Sequence, residues 1–300
     1  MLNSLQIRWR GLPGNARGAL WVLLATFFGA MMGALIKNVG QRIPVFEILF
    51  IRQICALAII SPVIIRTYDT VLNTKVFNLH FMRGAFAAIA MASGFTALVH
   101  LPLAEVTAIS FARTLFTTLL AIIFLQEVVG IRRWSVTIVG FIGVLIIIRP
   151  GPDNLNAYAF LALFSSMFVA GIMILLRKLS QIDPAPTIMV YQSTFVTLMM
   201  AGPAIYLWVV PTWQELALIL VIGALMSITQ WLNIQGLKSA EAVAVAPVDY
   251  ARLLFATILG MVFFSEIPTV WTLSGSAIII SCTLYTIRRN AMLKRQDKTA

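Results

Sequence analysis

In "ISFARTLFTTLLAIIFLQE", residues 109–127, one arginine interrupts a long apolar run. Arg113 has a counterpart, Arg252, in a second such run, "ARLLFATILGMVFFSE". A guanidinium grips a carboxylate or phosphate through parallel N–H donors. At the centre of a membrane helix it costs at least ~2.5 kcal/mol on insertion scales, so it turns toward a partner, a wet cavity or a ligand. Asp249 lies three residues before Arg252, on the same helical face. Arg113 has no acid within four residues on its own segment. Its partner must therefore be Asp249 from across the molecule, water or a substrate.

Two readings of these residues stay open. Arg113, Asp249 and Arg252 can form a fixed buried triad that orients two helices. Alternatively they bind substrate, with Asp249, the one clear carboxylate deep in an apolar run, as a proton carrier. Arg52 also lies within an apolar run. Three arginines against one aspartate leave two excess positive charges, which suits an anionic or zwitterionic ligand. Pro247, just before Asp249, predicts a kink that frees the carbonyl of Val243 and serves either as a gate or as a static bend. His100, Tyr191, Gln192, Gln230, Trp231, Asn233 and Tyr250 are polar and aromatic groups suited to a cavity for a planar metabolite. Each singly also fits helix packing.

The elements that carry these residues follow from composition. The 300 residues are 60% hydrophobic and only 11% charged, with mean hydropathy +0.93. Too few polar groups exist to cover a soluble globule. Ten runs of about 20 apolar residues, enough to cross a bilayer, fall at 18–38, 44–65, 80–100, 103–126, 131–149, 156–176, 184–209, 213–237, 240–264 and 268–287. The first exceeds a signal-peptide core and lacks a clear cleavage site, so it is expected to be retained.

The net charge of +11 lies mainly between these runs. With the N-terminus in the cytoplasm, 16 basic residues, Arg83 among them, fall in cytoplasmic segments. Only Lys37, Arg42 and Arg149 fall on the other side. That bias predicts both termini inside. Glu47 is expected near the interface and solvated. Trp9, Trp134, Trp208, Trp213 and Trp271 are expected in the interfacial belts. The charge pattern offers no nucleic-acid surface. Isolated Cys55 and Cys282 form no metal site, and no cofactor is implied. No clustered acids, nucleophile or HExxH motif suggests an enzyme.

The chain also repeats itself. "ARTLFTTLLAIIFLQE" (112–127) and "ARLLFATILGMVFFSE" (251–266) agree at eight of sixteen positions, at an offset of 139. The stretch 37–44 aligns with 177–184 at an offset of 140. Two matches at nearly one offset indicate two five-span copies. An odd number of spans per copy makes the second enter from the opposite face. The expected organisation is a cytoplasmic tail 1–17, repeats 18–149 and 156–288, and a basic cytoplasmic tail 289–300. Inverted repeats place substrate sites near the midplane.

On the motif "LPLAEVTAISFARTLFTTLLAIIFLQE", ending at Glu127 and echoed at Glu266, and on the 5+5 plan, the chain resembles the EamA family of the drug/metabolite transporter superfamily. That resemblance implies an all-α integral membrane bundle of ten transmembrane helices around a central cavity. Helices 1–4 and 6–9 would form the cavity and helices 5 and 10 would be peripheral. It further implies multi-pass placement in a bacterial-type inner membrane and carriage of a small metabolite. Within the family, "LPLAEVTAISFA" is similar to carriers of S-adenosylmethionine uptake. Such a ligand would use Asp249 as well as an arginine. Amino acids, carboxylates and nucleoside- or flavin-like compounds also remain open.

Overall fold

Apolar runs in lipid must satisfy their backbone groups internally, which makes helix the available answer. A computed structural model describes residues 14–66, 74–125, 131–149, 156–239 and 246–299, and among them it contains helices and no strand. In chain order these are α1 Gly14–Val39, α2 Val45–Arg66, α3 Phe77–His100, α4 Leu103–Ser110, α5 Arg113–Leu125, α6 Ile131–Ile148, α7 Ala157–Leu179, α8 Ala185–Tyr206 and α9 Trp213–Ser239. A 310 turn at Ala246–Tyr250, α10 Ala251–Phe264 and α11 Val270–Thr299 complete the chain. Trp9, Glu127 and Val243 lie outside the described residues.

Local chemistry sets several ends. Pro102 and Pro184 occupy the caps of α4 and α8, where a missing N–H costs little. The Asn156 side chain accepts from Tyr158 N at 3.0 Å and caps α7.

Among the described residues, six segments are long and apolar enough to cross a membrane: Ala16–Val39, Phe77–His100, Leu103–Leu120, Ala157–Leu179, Pro186–Tyr206 and Trp213–Gly236. The surfaces of the helices are inverted relative to a soluble bundle. Leu198, Ile205, Val262 and Phe263 point outward, whereas Ala87, Ala97, Ala108, Ala112, Ala159 and Ala170 are fully buried. Small residues inside let backbones approach, and large apolar ones outside meet lipid. The main pairings are α1 with α9, α3 with α7, α2 with α8, and α6 with α11. In the last pair the backbones nearly touch. A Cβ at Gly275 would lie 2.5 Å from the Gly143 carbonyl.

Four sequence expectations need correction. Residues 103–126 are not one helix, because the chain tightens at Phe111–Ala112 between α4 and α5. There the bonds run i→i−3, from Phe111 N to Ala108 O at 3.2 Å and from Ala112 N to Ile109 O at 2.9 Å. Hydroxyls crowd this point: Ser110 donates to the Thr107 carbonyl at 2.6 Å and Thr114 to the Phe111 carbonyl at 2.9 Å. Such side chains compete for helix acceptors. Nor is the expected run 240–264 one helix in its described part, 246–264: α10 follows the 310 turn that contains Pro247, where the sequence predicts a kink. Glu47 is not solvated. It is fully buried and accepts from Val209 N at 3.0 Å. Arg83 is not a solvent-facing flank residue, being 8% exposed inside α3.

Candidate functional site

The two tightened points place the charged groups. Arg113 opens α5 and Arg252 is the second residue of α10. Each therefore projects from the first turn after a break. Asp249, at the end of the 310 turn, accepts from both: Arg113 Nη2 reaches one carboxylate oxygen at 2.9 Å and Arg252 Nη2 the other at 3.0 Å. All three are about a quarter to a third exposed. A single carboxylate thus holds two guanidiniums side by side, each with donors left over. The Arg252 Nε is buried and has no hydrogen-bond partner among the described residues. Gly29 on α1 flanks that nitrogen, and a Cβ there would lie 3.9 Å from it, an ordinary contact.

Both arginines line a cavity of about 480 Å3 among α1, α3, α4, α5, α7, α8, α9 and α10. Its walls mix methionine and phenylalanine (Met32, Met91, Met173, Met226, Phe95) with Ser110, Ser165 and Ser166. Methionine adapts to irregular apolar shapes. Gln192 and Gln230 also face the cavity.

Other expected site residues lie elsewhere. Tyr250 packs its ring on Phe111 at 4.9 Å, behind the triad. Trp231 is half-exposed, edge-on to Trp21 at 5.5 Å. Asn233 does not line the cavity. Tyr191 stacks on buried His80, ring centroids 4.6 Å apart. His100 stacks on Tyr158 at 4.0 Å in a separate hollow with Glu105 and Arg149.

Arg52 is buried but does not line the cavity. It lies over the Phe95 ring at 5.2 Å and donates to Gln53 at 3.1 Å. Arg83 takes its place as the third lining arginine. One signal could have found it: Arg83 is the fourth residue of its own apolar run at 80–100, inside the run and not beyond its end.

The cavity lies between two polar ties at opposite ends of α3. At the C-terminal end, Lys37 of α1 binds the Glu266 carboxylate and the Leu101 carbonyl, and Glu266 also accepts from Leu103 N at 2.8 Å. Ser265, in the left-handed region at φ 55°, turns the chain after α10 and aims Glu266 there. At the N-terminal end, Asp183 accepts from Thr74 at 2.6 Å and pairs with His80 at 2.7 Å.

Comparison with known proteins agrees with this architecture. The EamA-like transporter family matches residues 16–149 and again residues 156–288. The S-adenosylmethionine uptake transporter of Rickettsia bellii is 31% identical over 281 residues, covering 93% of this chain and 96% of that one. The riboflavin transporter of Brucella anthropi is 31% identical over 259 residues, covering 84% and 91%. The pseudopaline exporter of Pseudomonas aeruginosa is 28% identical over 266 residues, covering 88% and 93%. A chain of known crystal structure shares the fold at TM-score 0.60 and 16% identity, covering 89% of this chain and 98% of that one. The chain belongs to the EamA-like transporter family and is a multi-pass inner-membrane transporter of small metabolites.

Proposed function

We propose that this chain is a secondary carrier for a small anionic or zwitterionic metabolite, moved by alternating access, with the Arg113–Asp249–Arg252 cluster binding its acidic group. The observation that carries this reading is the pair of cavity-lining guanidiniums bridged by one carboxylate. Two donors forks beside one acceptor leave a net positive site, and guanidinium recognises carboxylate bidentately. The methionine-rich walls suit the apolar body of the same molecule.

The carrier is proposed to have ten transmembrane spans in two inverted copies, 18–149 and 156–288, with tails 1–17 and 289–300 in the cytoplasm. The family's two matches within the chain support this. So does the packing: exchanging the copies turns the α1–α9 pair into α7–α3 and leaves α2–α8 and α6–α11 as they are. Asp249 is the proposed proton-coupling group, and uptake unchanged by a pH gradient in both wild type and Asp249→Asn would refute that part.

A second reading, S-adenosylmethionine-type uptake, is favoured by the Rickettsia relatives. It would place the ligand's carboxylate on the arginines and its positive centre near Asp249. Thermal unfolding of purified protein against metabolites sorted by charge tests both, since a ligand of the folded state raises the midpoint with occupancy. Stabilisation by carboxylates that Arg113→Ala abolishes supports the arginine site. Stabilisation by cations alone, unchanged in Arg113→Ala, overturns it.

A further inference from the structure

We propose that Arg83 forms a second anion-binding subsite, so that the transported metabolite carries two separate acidic groups, one at Arg113/Arg252 and one at Arg83. This rests on the reading of Arg113 and Arg252 as the first anchor.

Arg83 lines the cavity and is 8% exposed. Among the described residues it has no carboxylate partner, and its one hydrogen bond is a long one, Nη1 to the Ile188 carbonyl at 3.4 Å. Its Nε is buried and has no hydrogen-bond partner among the described residues. An uncompensated guanidinium in such a place is costly unless a bound group completes it. The other cavity arginines are tied to Asp249, so Arg83 is the one whose donors are nearly all unused. Arg52 differs: it too lacks an acid, but it is covered by Phe95 and Met91 and does not face the cavity.

The subsite is distinct from the first. Ser165 donates to the Ala90 carbonyl and Ser166 to the Ile109 carbonyl, which sets Ala90 and Ile109 at one level. Arg83 is seven residues from Ala90, about 10 Å along α3, whereas Arg113 lies four residues past Ile109, on the far side of the α4–α5 break. The two lie on different elements facing one cavity, and Gln192, which also lines it, is one turn along α8 from Ile188, whose carbonyl Arg83 reaches. Three lining guanidiniums and the one aspartate tied to two of them leave an excess of two positive charges. A dianion neutralises that excess, and the Gln192 carboxamide in the same lining offers a further donor to a carboxylate or phosphate.

The test compares straight-chain α,ω-dicarboxylates of increasing length, the corresponding ω-phosphonocarboxylates and monocarboxylates of matching length. Binding to full-length detergent-purified protein is read by thermal shift and by calorimetry. One length of diacid is expected to bind about tenfold to a hundredfold more tightly than its monoacid, the range of one charge-assisted contact. The phosphono series then states which oxyanion the subsite prefers. Arg83→Gln is expected to remove the diacid advantage and leave monoacid binding unchanged, whereas Arg113→Gln weakens both. Arg83→Lys, which keeps the charge, retains part of the advantage and covers the case in which Arg83→Gln does not fold. Monoacid binding without diacid preference at any length, or a preference intact in Arg83→Gln, overturns the second subsite alone. No binding of any anion overturns the first anchor and this subsite with it.

Discussion

Asp249 is a single acceptor shared by two guanidiniums, so its loss leaves both donors uncompensated at once. Asp249→Asn is expected to lower stability by roughly 1–3 kcal/mol, between the values for exposed and buried pairs, read as the midpoint of thermal unfolding in detergent. Asp249→Asn combined with Arg113→Gln should recover part of that loss, because the double change also removes one stranded charge. Asp183 supports a second prediction at this scale. Burial raises its pKa, but the hydrogen bonds from Thr74 and His80 and the charge of His80 outweigh that and hold it below the ordinary aspartate value. A depressed carboxyl pKa contributes stability above the unfolded value near 3.9, and that stability fades as pH falls through the folded value. Wild type should therefore lose stability below about pH 4 more steeply than Asp183→Asn, measured as the unfolding midpoint against pH.

The breaks between α4 and α5 and before α10 decide the site more than any helix does. They occur at corresponding places by different chemistry, a hydroxyl-rich turn in one and a proline-bearing 310 turn in the other. Each aims an arginine from the first turn that follows. Close backbone contact between α6 and α11 holds the bundle's edge. Gly275→Val places a branched side chain against the Gly143 carbonyl and Ile147. It should cost roughly 1–3 kcal/mol, as overpacking does, with the loss read by thermal unfolding. Ser265, like Arg149, holds a positive φ among the described residues, and it ends α10. Ser265→Val, β-branched at positive φ, should cost about 1–2 kcal/mol and reduce transport, whereas Ser265→Gly should preserve both.

Across the whole molecule the cavity sits between the Lys37–Glu266–Leu103 tie and the Thr74–Asp183–His80 tie. Under the alternating access proposed above, each tie would be made and broken in turn. Glu266→Gln removes the charge that Lys37 binds and weakens the acceptor of Leu103 N. It should open that end, so a cysteine placed at Ser110, facing the cavity, labels several-fold faster with a membrane-impermeant maleimide. Unchanged labelling would mean that this end opens without breaking the tie.

The sequence alone determined the class of this protein and the identity of its deepest charges. Apolar run length fixed helices and membrane placement, because neither depends on which helix packs on which. The eight-of-sixteen match between 112–127 and 251–266 equated Arg113 with Arg252, and spacing paired Asp249 with Arg252. The tertiary structure decided what those residues face. It broke two apparently continuous runs: Pro247 announced a kink in one, but the tightening at Phe111–Ala112 has no proline to announce it. It buried Glu47 against Val209 N and Arg52 under Phe95, contacts between segments far apart in the chain. It brought Arg83 into the cavity in place of Arg52, because hydropathy ranks a charge by depth along its own helix, whereas the neighbouring helices decide which side of it is wet.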